Sequence, residues 1–212
     1  MPVSVKVGGA WKAAAAVYNK VGGVWKTAAD MPVKVGGVWK TGILEMGSFE
    51  SIATISPSTG TTSVTFSSIP STYKSLQIRA ITKFSQTSSA DYTDILMALN
   101  GNALTKSHMI LGNGTTISGP NSTQTVGVSI NNHSSLTSNF NPTIIDIIDY
   151  ASTAKNKTIR SISGMDANAY PRLLTFNSAF LSGTAAVTSI TLTNASAISW
   201  ITGTSFALYG IK

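Results

Sequence analysis

Few residues in this chain have the chemistry for catalysis. There are two histidines, His108 and His133, eight carboxylates and no cysteine in 212 residues. Without cysteine there is no disulfide framework, no thiolate zinc site and no thiol nucleophile. The histidines stand apart, among loop-type residues, with no His-x-x-x-His spacing. No Gly-x-Ser-x-Gly elbow accompanies them. Asp146 and Asp149 are an acid pair of the kind that cuts polysaccharide. On a strand, however, positions three apart face opposite sides, so structural roles are expected instead, at a strand end or in an ion pair with Arg160 or Lys157. Asp91 and Asp94 lie in a Ser/Thr-rich stretch that lacks the glycine-containing acidic pattern of a calcium loop. The sequence therefore predicts no catalytic residue, no metal, no cofactor and no enzymatic activity.

The other recurring chemistry is lysine beside tryptophan. The segments Val5-Lys-Val-Gly-Gly-Ala-Trp-Lys12, Asn19-Lys-Val-Gly-Gly-Val-Trp-Lys26 and Val33-Lys-Val-Gly-Gly-Val-Trp-Lys40 repeat with a period of 14. Each reads as a β-hairpin. The pairs Gly8 and Gly9, Gly22 and Gly23, and Gly36 and Gly37 tolerate the positive φ of two-residue turns, and β-formers flank them. Folding about Gly8-Gly9 sets Lys6 opposite Trp11, and the repeat gives Lys20 opposite Trp25 and Lys34 opposite Trp39. Lysine over an exposed indole is worth roughly 0.5–1 kcal/mol. Isolated two-stranded hairpins are marginal in water. Trp11, Trp25 and Trp39, with Lys6, Lys12, Lys20, Lys26, Lys34 and Lys40, are thus expected to anchor the chain on a larger body. Residues 1–41 carry six lysines against one acid, Asp30, a net +5; the rest of the chain carries nine basic and seven acidic residues, a net +2. An acidic partner is implied for the arm. The lysines fall one per strand, with no arginine and no dense cluster, so an acidic protein surface explains them without nucleic acid.

The elements that must position these residues are all short strands. After a linker over 42–50, alternating or apolar runs lie at 63–67, 74–82, 94–99, 126–130, 143–150, 158–163, 173–180, 187–193 and 205–211. Asn100-Gly101 is a strong turn signal, and a short helix near 151–156 is conceivable but not required. The prediction is an all-β chain, hairpin repeats over 1–41 followed by a β-sandwich or jelly-roll domain over 51–212. Apolar residues make up 42%, enough for a core, while charged residues make up only 11%. Abundant Ser and Thr suit β surfaces. No apolar run of about 18 residues exists, and the start Met1-Pro-Val-Ser-Val predicts no secretion signal. Loops 112–119 and 131–135 hold Asn and Ser able to bind a glycan. Only Tyr92 and Tyr170 supply nearby aromatic rings, so ordinary connections are favoured. The sequon Asn194-Ala-Ser196 is read as incidental.

The repeated Val-Lys-Val-Gly-Gly-Val-Trp-Lys unit resembles the N-terminal repeats of phage tail-fibre and virion structural proteins. The later part resembles a β-domain of structural proteins from marine and cyanobacterial phages, through Ser68-Ile-Pro-Ser-Thr-Tyr-Lys-Ser-Leu-Gln-Ile-Arg79, Ile145-Asp-Ile-Ile-Asp-Tyr-Ala151, Lys157-Thr-Ile-Arg-Ser-Ile-Ser-Gly164 and Ser205-Phe-Ala-Leu-Tyr-Gly-Ile-Lys212. The resemblance implies a non-enzymatic virion part, made in the host cytoplasm and carried on the particle surface. It implies a homotrimer whose partners are tail, baseplate or major capsid proteins, with no membrane partner. A short tail fibre or fibre tip touching a host glycan is the first form of that expectation. A head decoration or cement protein is the alternative.

Overall fold

The computed structural model describes the backbone of residues 4–7, 10–13, 18–21, 24–27, 33–35, 38–40, 48–85, 92–119, 121–122, 124–131, 138–165, 172–194 and 198–212, and side chains over 48–85, 92–119, 124–129, 138–165, 172–194 and 198–212. The chain divides into two compact units, Met1–Gly47 and Ser48–Lys212.

In the first unit, β1 (Ser4–Val7) pairs with β2 (Ala10–Ala13), β3 (Tyr18–Val21) with β4 (Val24–Thr27), and β5 (Val33–Val35) with β6 (Val38–Lys40). All three are separate antiparallel pairs. Their register sets Lys6 opposite Trp11, Lys20 opposite Trp25 and Lys34 opposite Trp39. The six turn glycines and the lysine and tryptophan side chains of this unit lie outside the described residues.

The second unit is built from β7 (Phe49–Ile55), β8 (Val64–Phe66), β9 (Ser75–Phe84), β10 (Tyr92–Leu99), β11 (Asn102–Ala103), β12 (Lys106–Gly112), β13 (Ile117–Ser118), β14 (Asn121–Ser122), β15 (Thr125–Asn131), β16 (Asn141–Ile148), β17 (Lys157–Met165), β18 (Leu173–Leu181), β19 (Ile190–Thr193) and β20 (Ser205–Ile211). Among the described residues there is no helix, and 151–156 is turn and bend. A large antiparallel sheet runs β7-β20-β9-β16-β17-β18-β12, with β13 and β14 short additions along β12. A smaller one runs β8-β19-β10-β15, with β11 folded back on β10. The two meet where the end of β9 pairs in parallel with the end of β15, Lys83 with Ile130 and Phe84 with Asn131. The architecture is all-β and sandwich-like.

Alternation builds the core. In β16, β17 and β18 every second residue is buried. Leu76, Ile78, Ile145, Ile147, Ile159, Phe206 and Leu208 of the large sheet pack against Val64, Phe66, Ile95, Met97, Leu99, Ile190 and Leu192 of the small one. The Asn100-Gly101 turn has φ of 50° and 76°, both left-handed, as a two-residue hairpin requires. The Asn100 side chain also accepts from the backbone amides of Thr188 and Ser189 at 2.8 and 3.1 Å, tying this turn to the start of β19.

Strand β15 departs from alternation, because all of 125–129 is buried. It runs over a polar patch on the inner face of the large sheet. The Ser161 hydroxyl donates to the Val126 carbonyl, the Asn141 amide donates to the Val128 carbonyl at 2.8 Å, and Ser163 Oγ accepts from the Val128 amide at 3.4 Å. A Cβ on Gly127 would sit 2.5 Å from Ser163 Oγ. Only glycine lets the backbone come this close.

Two sequence readings need correction. The linker over 42–50 ends too late, since β7 begins at Phe49. The Phe49 ring packs edge-on to Tyr209 at 6.5 Å and lies under the Arg79 guanidinium at 4.7 Å, which holds it in the sheet. Of the two roles expected of Asp146 and Asp149, the strand-end position holds for Asp149, while an ion pair with Arg160 or Lys157 does not form among the described residues. Asp149, at the end of β16 with φ 55°, pairs with Lys155 at 3.0 Å.

Candidate docking surface

Most groups with chemical potential have structural work. The carboxylate of Asp146 accepts from the Gln77 amide at 2.8 Å. The fully covered ammonium of Lys157 donates to the carbonyls of Ser152, Lys155 and Thr184, pinning the 149–156 turn to the next loop. Burial lowers the Lys157 pKa, and the nearby Asp149 charge partly opposes that. Burial likewise lowers the Lys83 pKa, and its ammonium lies 5.7 Å from the Phe140 ring. Asn194, the sequon residue, is buried and exchanges hydrogen bonds with the Ile198 backbone at 2.9 and 3.1 Å. The Asn113 carboxamide closes its own loop by accepting from the amides of Thr115 and Thr116. Tyr92 packs on the small cluster of Met109, Val128, Met165 and Leu173. His133, Asp91 and Tyr170 lie outside the described residues. Among the described residues no three His, Asp or Glu side chains gather as a metal site.

Asp94 gives a test of this reading. It is half-buried on β10 and accepts from the Thr125 hydroxyl at 3.0 Å. Burial raises its carboxyl pKa above the ordinary 3.8, and the Thr125 bond partly offsets the rise. The folded protein therefore holds this proton more tightly than the unfolded chain. The resulting stabilisation is full below 3.8 and is lost as pH rises through the raised value. Asp94→Asn keeps an acceptor for Thr125 and removes the titration. Urea unfolding from pH 3.5 to 7 should show the variant gaining on the parent with rising pH, then holding a constant advantage. A parallel pair of curves would refute the assignment.

What remains is the outer face of the large sheet. Register lines its side chains into rows across the strands. One row is Ile110, Phe176, Ile162, Ile144, Arg79 and Ala207, on β12, β18, β17, β16, β9 and β20 in turn. The next toward one end holds Leu174, Gly164, Pro142 and Ile81; the next toward the other holds His108, Ser178, Arg160, Asp146, Gln77 and Tyr209. Apart from Arg79, the first two rows are apolar yet open. Exposure is 58% at Ile110, 51% at Phe176, 47% at Leu174, 43% at Ile81, 40% at Ile144 and 37% at Ile162. At about 200 Å² per large side chain, these six residues leave on the order of 600 Å² of contiguous apolar surface, the upper end for a monomer. The polar row is knit together: Arg79 donates to Gln77, which donates to Asp146, each at 2.8 Å.

The face is also inverted. In the middle of β17 and β18 Ser161, Ser163, Thr175 and Asn177 turn inward, between the buried Ile159 and Met165 of β17 and Leu173 and Ala179 of β18, while Ile162, Leu174 and Phe176 face out. An apolar groove of about 610 Å³, lined by Phe140, Pro142, Met165, Leu173 and Leu174 with Arg172 at its rim, adjoins the Leu174 row. A second hollow of about 370 Å³ beside Asn100, Asn102 and Ser182 is polar. His108, Asp146 and Arg160 of the polar row were picked out by the sequence for other roles, but none of the apolar outer-face residues was. The available signal was Leu173-Leu-Thr-Phe-Asn-Ser-Ala-Phe180, where apolar residues occupy both parities of one strand.

Compared with protein-family models, curated proteins and solved structures, the chain gives no match.

Proposed function

We propose that this chain is a non-enzymatic structural component of a bacteriophage virion, docked by its N-terminal repeats and presenting its β-domain from the particle surface. The threefold Gly-Gly/Trp hairpin repeat carries this reading. It lies in a distinct unit as three two-stranded pairs, with net charge +5 over residues 1–41, each too small to bury an indole by itself. In this reading the partners are tail or baseplate proteins, the assembly is a homotrimer, the domain is of jelly-roll type, and the protein is a short tail fibre or fibre tip that meets a host glycan. The second form is a head decoration or cement protein on the major capsid protein. Copy number separates them: tens of copies on the tail or hundreds over the head.

Deletion of residues 1–41 is expected to leave a folded β-domain that no longer joins particles. Normal incorporation of that truncation, measured by blotting purified virions, would refute the anchoring role. Within the arm, Trp25→Ala should weaken attachment several-fold more than Lys26→Ala, because burying an indole outweighs an exposed charge pair. Equal losses would mean that charge drives docking.

A further inference from the structure

We infer that the outer face of the large sheet is a twofold interface with a second copy of this chain. Three observations carry it. The first is the inversion at β17 and β18. Mid-strand, Ser161, Ser163, Thr175 and Asn177 hold the inward positions and Ile162, Leu174 and Phe176 the outward ones, although Ile159, Met165, Leu173 and Ala179 turn inward toward the strand ends. Three large apolar side chains are thus kept on the open face. The solvated face of an antiparallel sheet is ordinarily polar, so an apolar stretch of this size on it marks a face that is covered. The second is area. About 600 Å² of apolar surface, with its polar border, matches the roughly 800 Å² per partner of a standard interface.

The third is self-complementarity. Ile162 stands opposite Ile144, and Arg160 opposite Asp146, across the β17–β16 ladder. A twofold axis parallel to these strands and midway between them lays Ile162 on the partner's Ile144 and Arg160 on the partner's Asp146, each contact occurring twice. The same operation carries β18 onto the partner's β9. Leu174 then meets the partner's Ile81, Phe176 meets the partner's Arg79 in a cation–π geometry, and Ser178 meets the partner's Gln77. Apolar rows fall on apolar rows and the polar row on the polar row, as an isologous contact requires. Arg160 has no ion-pair partner within 4 Å among the described residues, so its charge is available to the contact.

The test is sedimentation equilibrium of the full chain across a concentration series. The expected species is even-numbered: a dimer, or a hexamer where the arms trimerise. Ile162→Lys, a substitution at an open position that leaves the fold intact by circular dichroism, should halve the mass. Arg160→Asp and Asp146→Arg should each weaken association about tenfold or more, and the two together should restore it to within a few-fold of the parent. A monomer at every concentration would mean that this face serves a different protein, and would overturn the inference. So would an odd-numbered assembly, or a mass unmoved by Ile162→Lys, or a double swap no better than either single one.

Discussion

Replacing Trp200 by alanine is expected to remove about 4 kcal/mol of stability, the range found when a fully buried aromatic is truncated. For a unit of this size that is a fall in melting temperature of roughly 8–16 °C. Trp200 has no exposed surface. Its indole stacks on Phe84 at 4.1 Å with the planes 21° apart, and meets the edge of Phe206 at 5.0 Å. These rings sit where β9 leaves the large sheet to pair with β15. The backbone there is fixed as well: the Trp200 amide donates to the Thr61 carbonyl at 2.8 Å and the Ser85 amide to the Ser199 carbonyl at 2.8 Å. Removing the indole leaves a hole at the join between the two sheets, where rigid ladders on both sides resist collapse. Trp200→Phe should cost less than half as much. It keeps a ring on Phe84 and removes an indole N–H that has no acceptor among the described residues, a group that is itself costly to bury. Thermal unfolding followed by far-ultraviolet circular dichroism measures both. A loss below about 2 kcal/mol for Trp200→Ala would mean that the join is held by the ladders alone.

Trp200 also marks where sequence reading stops. Three tryptophans announced themselves by period, while the fourth lies in Ser-Trp-Ile-Thr-Gly, a stretch with no alternation to place it. The strands of cleanest alternation were legible because their burial is one-sided: β9 reads Leu76, Ile78, Ala80 inward, and the structure buries all three. The Asn100-Gly101 turn was legible because its φ values restrict the residues that fit. Strand β12 was not, since Lys-Ser-His-Met-Ile-Leu-Gly mixes polar and apolar residues on both faces. The first two residues of β7, Phe49 and Glu50, were absorbed into the linker because Phe49 gains its place from Tyr209 and Arg79, some 160 and 30 residues away in sequence. The outer-face patch was illegible for a deeper reason. Periodicity tells which residues share a face, but it cannot say which face meets the core. In the middle of β17 and β18 the polar residues Ser161, Ser163, Thr175 and Asn177 turn in, because β15 crosses there and takes hydroxyl and amide hydrogen bonds to its backbone.

The same limit applies to glycine, and Gly210→Val is the sharpest case. Gly210 lies in β20, between Leu76 of β9 and Glu50 of β7. The Tyr73 ring lies directly over it, so closely that a Cβ would fall on the ring atoms Cγ, Cδ1 and Cδ2. The ring cannot step aside freely. The Tyr73 amide donates to the Tyr150 hydroxyl at 3.2 Å, Tyr150 in turn donates to the Pro70 carbonyl, and the Tyr73 hydroxyl bonds Glu50. Valine at 210 must therefore expel the ring or push β20 out of a ladder formed on both edges. Overpacking of this kind costs about 3 kcal/mol or more. Tyr73→Ala in the same chain should return part of that loss, because its own cost and that of Gly210→Val arise from one contact and are not additive. Gly112→Val is the control: nothing lies within 4 Å of a Cβ there, and the change should stay within about 0.5 kcal/mol. If Gly210→Val were as mild as Gly112→Val in denaturant unfolding, the ring would be mobile over the strand rather than packed on it. Tyr73 and Gly210 lie far apart in sequence, and they form one contact. A glycine that the turn rules leave unexplained, 137 positions after a tyrosine, is accounted for only when β20 closes against the loop ahead of β9.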